Sequence, residues 1–232
     1  TASTTIRTTL DVRTVALADV DHDGDLDLVL GGATRDAGAA APLALWRNNG
    51  DGTFADITTS ALPDQGAIVA TAIVPTDVDL RRDIDLVVLG GDGRIRLWRN
   101  MRDATFSEVG ATFGLDALPA ARAIAVADFT KDGFPDIAIA TAAGDGVMAV
   151  GSARNTFSSR PVATMPRGTV ALQAGDVDSD GLLDLVAVTT DGISPLRQHA
   201  AGAFEPVAQE VLAGASALVL LDADRSGTLD LL

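Results

Sequence analysis

DVDHDGDLD at residues 19–27 runs directly into the apolar segment LVL at residues 28–30. Variants of this acidic loop, each followed by an apolar segment, begin at Asp77, Asp128, Asp176 and Asp222, at intervals of 58, 51, 48 and 46 residues. A unit that recurs at such intervals is the sequence signature of a repeat architecture. The chain is therefore predicted to repeat one supersecondary unit five times.

Each acidic loop lies between two apolar runs, and two further runs follow after turns. In the first copy these runs are residues 15–18, 26–30 and 43–48, and a segment that opens with Phe54. The runs are short, rich in β-branched residues and separated by Gly, Asp, Asn and Pro, which indicates strands and turns. Four short strands per repeat are typical of a β-propeller blade. We predict an all-β fold of blades with four antiparallel strands, in which the third-strand residues Trp46 and Trp98 pack between blades. A β-sandwich is the alternative, but it gives no reason for the loop, Trp-Arg-Asn and Phe to recur in order.

The repeats predict four complete blades and a truncated fifth. The complete blades span about residues 11–60, 66–112, 121–165 and 168–212, and the partial one about residues 216–232. An unfinished blade presents an open strand edge, which residues 1–10 or another molecule could cover. The chain starts at Thr1, and no signal peptide is recognisable. We expect one β-propeller domain, or a segment of one, from a processed secreted protein or an excised part of a longer chain.

Charge and composition exclude several classes of protein. The net charge of −15 disfavours binding to a nucleic-acid backbone or an anionic membrane. No apolar stretch approaches the ~18 residues of a membrane span. The chain has no cysteine, so neither a disulfide framework nor a thiolate metal site is possible. Nineteen of the 32 acidic residues lie inside the five loops, and this clustering suggests bound counter-cations.

The acidic loops have the composition of calcium sites. Side-chain oxygens at positions 1, 3, 5 and 9, a carbonyl at position 7 and a turn glycine at position 6 can surround Ca²⁺. Helix-loop-helix sites need a Glu at position 12, whereas position 12 is apolar in the first four copies. We therefore predict hairpin sites closed by the Asp at position 9, with a metal-free network of Asx turns as the alternative. Two copies are complete: Asp19, Asp21, Asp23, Asp25 and Asp27, and Asp176, Asp178, Asp180, Leu182 and Asp184.

The other three copies depart from this pattern. In the second copy Arg81 takes position 5 and Arg82 replaces the glycine. We expect loop 77–85 to be metal-free, with the Arg81 guanidinium folded into the ring and hydrogen-bonded to Asp77 and Asp85. About three to four Ca²⁺ ions are expected in total. The third and fifth copies carry a hydroxyl in place of one carboxylate and predict weaker sites: Asp128, Thr130, Asp132, Phe134 and Asp136, and Asp222, Asp224, Ser226, Thr228 and Asp230.

With these loops, LWRNNGDGTF at residues 45–54 and LWRNMRDATF at residues 97–106 make the chain similar to the FG-GAP/VCBS repeat family. The nearest branch is the one associated with ASPIC/UnbV-type proteins. The resemblance implies a propeller like that of the integrin α-subunit, with Ca²⁺ in the loops between strands. It also implies a secreted or cell-surface location.

Three functions follow as hypotheses. The first is a calcium-stabilised extracellular propeller that acts as an interaction, adhesion or structural module, with a protein or glycan at the cell surface as its partner. The second is a subunit of a homopolymeric surface fibre, in which copies of the chain share strands. The third is a polysaccharide-active enzyme. The chain has only two imidazoles: we expect His22 to point to solvent and His199 to lie in a surface turn. The Glu residues show no paired spacing. We predict no enzymatic activity, no catalytic residues, no membrane insertion and no nucleic-acid partner.

Overall fold

The computed structural model describes residues 6–35, 42–66, 68–103, 105–207 and 218–231. The chain divides into two compact units, Thr1–Asp116 and Ala117–Leu232. Within the described ranges, no helix combines the length and the apolar character that crossing a membrane requires.

Unit 1 contains two four-stranded antiparallel sheets whose strands follow one another in chain order. A short helix, α1 (Thr58–Ala61), follows the first sheet. The strands of the first sheet are β1 (Leu10–Ala18), β2 (Asp27–Thr34), β3 (Leu43–Asn48) and β4 (Phe54–Asp56). Those of the second sheet are β5 (Ala70–Thr76), β6 (Asp85–Gly90), β7 (Ile95–Asn100) and β8 (Phe106–Glu108).

Unit 2 repeats this arrangement with two more four-stranded sheets. The all-β fold with four blades of four antiparallel strands is therefore confirmed. The first sheet of unit 2 contains β9 (Ala121–Ala127), β10 (Asp136–Thr141), β11 (Gly146–Val150) and β12 (Ser158–Val162). Its second sheet contains β13 (Thr169–Gly175), β14 (Asp184–Thr189), β15 (Gly192–Ala200) and β16 (Ala203–Pro206).

A two-stranded ribbon follows the fourth blade. β17 (Leu220–Leu221) pairs with β18 (Asp230–Leu231) across the fifth acidic loop. The ribbon has two residues in each strand, so a truncated fifth blade stays a prediction. The predicted boundary of blade four, near residue 212, lies outside the described residues.

The second strand of each blade is the most buried. All six residues of β6, β10 and β14 are buried, which is why these segments are almost continuously apolar rather than alternating. Each first strand carries a register irregularity against its second strand, and such bulges bend a strand and increase its twist. In each of the four blades, one residue of the first strand has no partner on the second strand, and it lies at the same distance before the acidic loop: Arg13, Thr71, Arg122 and Val170.

A hydrophobic core fills the space between the two blades of each unit. In unit 1, Leu43 and Leu45 of the first blade pack with Leu86 and Trp98 of the second. In unit 2, Met148 and Leu185 belong to a corresponding cluster that includes Phe129 and Phe204, whose rings meet edge to face at 5.9 Å. The predicted position of Trp98 between blades is confirmed.

Trp46 does not pack between the blades of unit 1. It pairs with Leu28 just as Trp98 pairs with Leu86, so the two tryptophans occupy equivalent positions on equivalent faces. In the second blade, the face that carries Trp98 packs on the first blade. In the first blade, Trp46 packs against Leu10 of the same blade. The expectation that Trp46 lies between blades is wrong for unit 1, because the cluster that contains it has no residue of the second blade.

Candidate functional site

The acidic loops are hairpin connections. Each one joins the first strand to the second strand of its sheet, and the fifth joins the two strands of the ribbon. No helix flanks any of the loops, so the prediction of hairpin loops rather than helix-loop-helix loops is confirmed. That they bind a metal stays a prediction.

The carboxylate at position 1 organises the backbone of the loop. Asp19 Oδ2 accepts a hydrogen bond from the Gly24 N–H at 3.1 Å, five residues further along the chain. His22 and Gly24 have positive φ angles of 63° and 93°, and these turn the chain around that carboxylate. The other four loops make the same bond: Asp77 with Arg82, Asp128 with Gly133, Asp176 with Gly181 and Asp222 with Gly227.

The carboxylate at position 9 ties the loop to its sheet. In the first blade, Asp27 Oδ2 accepts the Val20 N–H at 2.9 Å and Oδ1 accepts the Asn48 N–H, at the end of the third strand, at 2.8 Å. The sequence predicted only metal ligation here and missed this role. The other blades repeat the clamp: Asp85 with Val78 and Asn100, Asp136 with Thr130 and Gly151, and Asp184 with Val177 and Gln198.

Side-chain amides add a second tie, between neighbouring blades. Asn100 Nδ2 donates to the Val20 carbonyl at 2.8 Å, and Gln198 Nε2 donates to the Phe129 carbonyl at 2.8 Å. Each bond joins the third strand of one blade to the acidic loop of the blade before it. The recurrent Trp-Arg-Asn motif was the signal in the sequence for Asn100, whereas Gln198 follows Leu-Arg. The partner is 80 residues away for Asn100 and 69 for Gln198.

Four of the five loops bring three carboxylates together. In the first loop, oxygens of Asp19, Asp21 and Asp27 lie within 4.8 Å of one another. Two oxygens bound to one Ca²⁺ are at most about 5 Å apart, so this spacing suits a single ion. Asp19 Oδ1 is buried and has no hydrogen-bond partner, so it is an acceptor left for a cation. The other groups are Asp77, Asp79 and Asp85; Asp176, Asp178 and Asp184; and Asp222, Asp224 and Asp230.

The third loop lacks such a group among the described residues. Its position 3 is Thr130, and its carboxylates are Asp128, Asp132 and Asp136. Asp128 and Asp132 make the same backbone contacts as in the other loops, with the N–H groups of Gly133 and Phe134. The third loop therefore has the common backbone shape with a poorer set of oxygen donors, in line with the weaker site that was predicted.

Burial disfavours the charged form of the position 9 carboxylates. Burial raises the pKa of Asp85 to about 6, and the nearby charges of Asp79 and Asp77 act in the same direction. Burial also raises the pKa values of Asp27, Asp136 and Asp184 above their usual range. A cation held beside these groups would favour their ionised form. Among the described residues, none of these position 9 carboxylates has an ion-pair partner.

The second loop contradicts the expected geometry of Arg81. Its guanidinium does not bind Asp77 and Asp85; instead Nε lies 3.3 Å from Asp79 Oδ2. Both oxygens of Asp85 accept backbone N–H groups, and Asp77 accepts those of Arg81 and Arg82. That loop 77–85 is metal-free stays a prediction.

An arginine outside the fourth loop also contacts it, which the sequence did not indicate. Arg197 Nε on β15 lies 2.7 Å from Asp178 Oδ2, at position 3 of the loop. The other position 3 oxygen, Oδ1, accepts the Asp180 N–H at 3.2 Å. A cation in this loop would share Asp178 with the guanidinium.

Both expectations for the histidines were wrong in detail. His22 does not simply point to solvent: its Nε2 lies 2.9 Å from Oδ1 of Asp83, which is buried. Arg102 Nε contacts the other oxygen of Asp83. Although burial disfavours its charged form, the hydrogen bonds from His22 and Arg102 hold the pKa of Asp83 below its usual range. His199 is exposed but lies within strand β15, not in a turn.

Comparisons with known proteins agree with this architecture. A family model described as "FG-GAP-like repeat" matches residues 19–88, 77–139 and 132–187. No curated protein matches the chain. Among solved structures, an Agrocybe aegerita lectin, described as specifically recognising non-reducing terminal N-acetylglucosamine, matches with a TM-score of 0.63 and 21% identity, over 94% of this chain and 59% of the lectin chain. BBS1N in complex with ARL6DN, soaked with lead, matches with a TM-score of 0.53 and 14% identity, over 95% of this chain and 58% of the other. At these identities the matches show the fold alone, and the chain spans less than two thirds of either structure.

Proposed function

This chain belongs to the FG-GAP-like repeat family, and from that premise we propose that it is a calcium-stabilised extracellular propeller module. The observation that carries the proposal is the recurrence of three convergent carboxylates in hairpin loops, with a buried, unpartnered oxygen of Asp19 in the first. Hard oxygen donors of this kind suit Ca²⁺. The Leu-Trp-Arg-Asn motif supports the ASPIC/UnbV-like branch of the family as the nearest one.

We propose about three to four bound ions. The first and fourth loops hold the strongest sites, and the third and fifth hold weaker ones because one carboxylate is replaced by a hydroxyl. Loop 77–85 is proposed to be metal-free, with the exposed Arg81 beside Asp79 as its partial counter-charge. The carbonyls of Asp25, Phe134, Leu182 and Thr228 are the proposed ligands at position 7.

The proposed role of the ions is rigidity, not catalysis. An ion that binds only the folded chain adds its binding free energy to stability. His22 is engaged by Asp83, and His199 is an exposed residue on a strand, so neither imidazole is placed as a base beside a nucleophile. We propose a non-enzymatic interaction, adhesion or structural role, with a protein or glycan at the cell surface as the partner. The proposed location is secreted or at the cell surface.

Isothermal titration calorimetry tests the calcium proposal directly. Protein freed of divalent ions and titrated with CaCl₂ should bind about three to four ions, with affinities in the range of about 10⁻⁴–10⁻³ M that is typical of extracellular modules. MgCl₂ is the matched control, and it should bind more weakly because Mg²⁺ demands a compact octahedral site. Absence of saturable calcium binding would contradict the proposal.

Self-association is a second candidate function, favoured by one observation. Val15 and Leu17 on β1 are 56% and 58% exposed, whereas Ile73 and Leu172, which stand at the position of Val15 in the second and fourth blades, are 8% and 5% exposed. Those two residues are buried in the cores between blades. The face of the first blade that carries Val15 is therefore exposed, whereas the equivalent face of the second and fourth blades is buried against another blade. We propose a second copy of this chain as the occupant, since the ribbon also exposes Val219 and Leu221.

A double substitution on β1 tests self-association. If copies assemble through this face, the wild-type chain should show a mass that rises with concentration in size-exclusion chromatography with light scattering. Val15→Asp together with Leu17→Asp should give a monomer at every concentration, because burying two carboxylates in an apolar interface is unfavourable. Leu80→Asp, at an exposed loop position, is the matched control and should behave as wild type. A monomeric wild-type chain would overturn the proposal.

A further inference from the structure

Gln198, on the third strand of the fourth blade, is a buried residue whose side-chain oxygen has no partner. Its exposed fraction is 0%. Nε2 donates to the Phe129 carbonyl at 2.8 Å, but Oε1 is buried and has no hydrogen bond with any residue that the structure describes. Buried polar atoms in native proteins are nearly always satisfied, so an oxygen of this kind marks the place of a bound ion or water molecule.

The equivalent residues of the first two blades use both ends of their amides. Asn48 Oδ1 and Asn100 Oδ1 each accept the N–H of the residue two positions further along the chain, at 3.1 and 3.0 Å. Those N–H groups lie in the turn that follows the third strand. Gln198 is one methylene longer, and it lies inside β15, which continues to Ala200. The buried oxygen without a partner is therefore particular to the fourth blade among these three.

The amide of Gln198 lies against the third acidic loop. Phe129, which accepts the hydrogen bond from Nε2, is position 2 of that loop, and its carbonyl belongs to the peptide group that leads to Thr130 at position 3. Oε1 and Nε2 are bonded to the same carbon, so Oε1 is also close to this peptide group. In unit 1, the residues at the two corresponding positions, Asp21 and Asn100, line one cavity. Gln198 therefore brings its oxygen to the side of the loop where position 3 lies.

The third loop is also the loop that lacks a carboxylate at position 3. That position is Asp in the other four loops and Thr130 here. The cationic Lys131 does not compensate, since its Nζ is directed to the fourth loop, 4.0 Å from the position that a Cβ atom of Gly181 would take. Within the described part of the chain, three carboxylates of the third loop have no ion pair: Asp128, Asp132 and Asp136.

We propose that Gln198 Oε1 completes the cation site of the third loop from the neighbouring blade, in place of the carboxylate that Thr130 lacks. The side-chain carbonyl oxygens of Asn and Gln are ordinary ligands of Ca²⁺. The N–H of the same amide binds the Phe129 carbonyl and so holds the side chain against the loop. The inference rests on the proposed calcium binding, and it names a ligand that lies outside the repeated loop.

NMR titration of the isotopically labelled, metal-free chain with CaCl₂ tests this ligand, because the amide signals of Gly133 and Gly181 follow the third and the fourth loop separately. Gln198→Leu should weaken calcium binding at Gly133 by about tenfold, the effect of losing one strong polar contact. Gln198→Glu should tighten it, because a carboxylate replaces a neutral oxygen. Gly181 should report an unchanged affinity in both variants, since the fourth loop contacts the backbone N–H of Gln198.

Asn100→Asp is the matched control in unit 1. It makes the same exchange of an amide for a carboxylate beside the first loop, but Asn100 Oδ1 already accepts a backbone N–H and position 3 of that loop is already Asp21. The variant also loses the hydrogen bond to the Val20 carbonyl. It should therefore weaken calcium binding at Gly24 or leave it unchanged. This contrast separates a ligand oxygen from a general gain of negative charge.

The wild-type chain gives a readout that does not depend on any variant. The side-chain carbonyl carbon of Gln198 should shift with the same midpoint as the Gly133 amide, and a carbonyl signal that does not follow Gly133 would overturn the inference. Equal affinities at Gly133 in the wild-type chain and both variants would overturn it and leave the calcium proposal standing. So would a Gly133 signal that ignores calcium while Gly24 and Gly181 respond. Silence at all three glycines would contradict calcium binding itself.

Discussion

Removal of calcium is expected to lower the midpoint of thermal unfolding by more than about 10 °C. An ion present at about 100 times its dissociation constant adds roughly 2.7 kcal/mol to stability, so three ions add about 8 kcal/mol. For a chain of this size, each kcal/mol shifts the midpoint by about 2–4 °C. The measurement is differential scanning calorimetry with saturating CaCl₂ and with EGTA, followed by addition of excess CaCl₂ to restore the midpoint.

A pair of isosteric substitutions identifies the loops that carry this effect. Asp21→Asn and Asp79→Asn each remove one charge at position 3, in the first and the second loop. Asp21→Asn should reduce the difference between the two midpoints, because the first loop is proposed to hold an ion. Asp79→Asn should leave that difference unchanged, because loop 77–85 is proposed to be metal-free. Equal midpoints of the wild-type chain in calcium and in EGTA would rule out a stabilising ion.

The fold could be predicted from the sequence because local signals repeat in the same order in every copy. The acidic loop marks the turn between the first two strands, and the apolar runs on either side mark the strands themselves. These features depend on neighbours within about ten residues, which is the range over which turn and strand patterns are informative. Local patterns do not distinguish Trp46 from Trp98, although only Trp98 lies in the core between the two blades of unit 1.

The chemistry of the loops was less predictable because it depends on contacts that are distant in sequence. The pairing of His22 with Asp83 joins two repeats, and so does the bond from Asn100 to Val20. The sequence predicts that Arg81 binds Asp77 and Asp85, whereas its guanidinium lies beside Asp79. A pattern of residue types identifies the donors and acceptors in a loop, but competition among them is decided only when the strands bring their backbones together.

The carboxylate at position 9 is expected to contribute to stability even without a metal. Asp184→Ala should lower the free energy of unfolding by about 3–5 kcal/mol in EGTA, since it leaves the N–H groups of Val177 and Gln198 without their acceptor. Each buried donor left unpaired costs about 1–3 kcal/mol. Loss of the repulsion from Asp178 and Asp180 offsets part of this cost, because burial and those two charges raise the pKa of Asp184. Urea unfolding followed by far-UV circular dichroism measures the change; both tryptophans lie in unit 1 and would not report on this blade.

Asp178→Ala is the control that separates the clamp from the metal ligand. Asp178 belongs to the same group of carboxylates, but its side chain contacts only the Asp180 N–H and the partly exposed Arg197 among the described residues. In EGTA its removal should cost at most about 1 kcal/mol, the usual range for an exposed ion pair. In calcium, Asp178→Ala should lose much of the stabilisation by the ion as well. If Asp184→Ala in EGTA costs no more than Asp178→Ala, position 9 acts only through the metal, and the recurrent clamp on the third strand does not stabilise the blade.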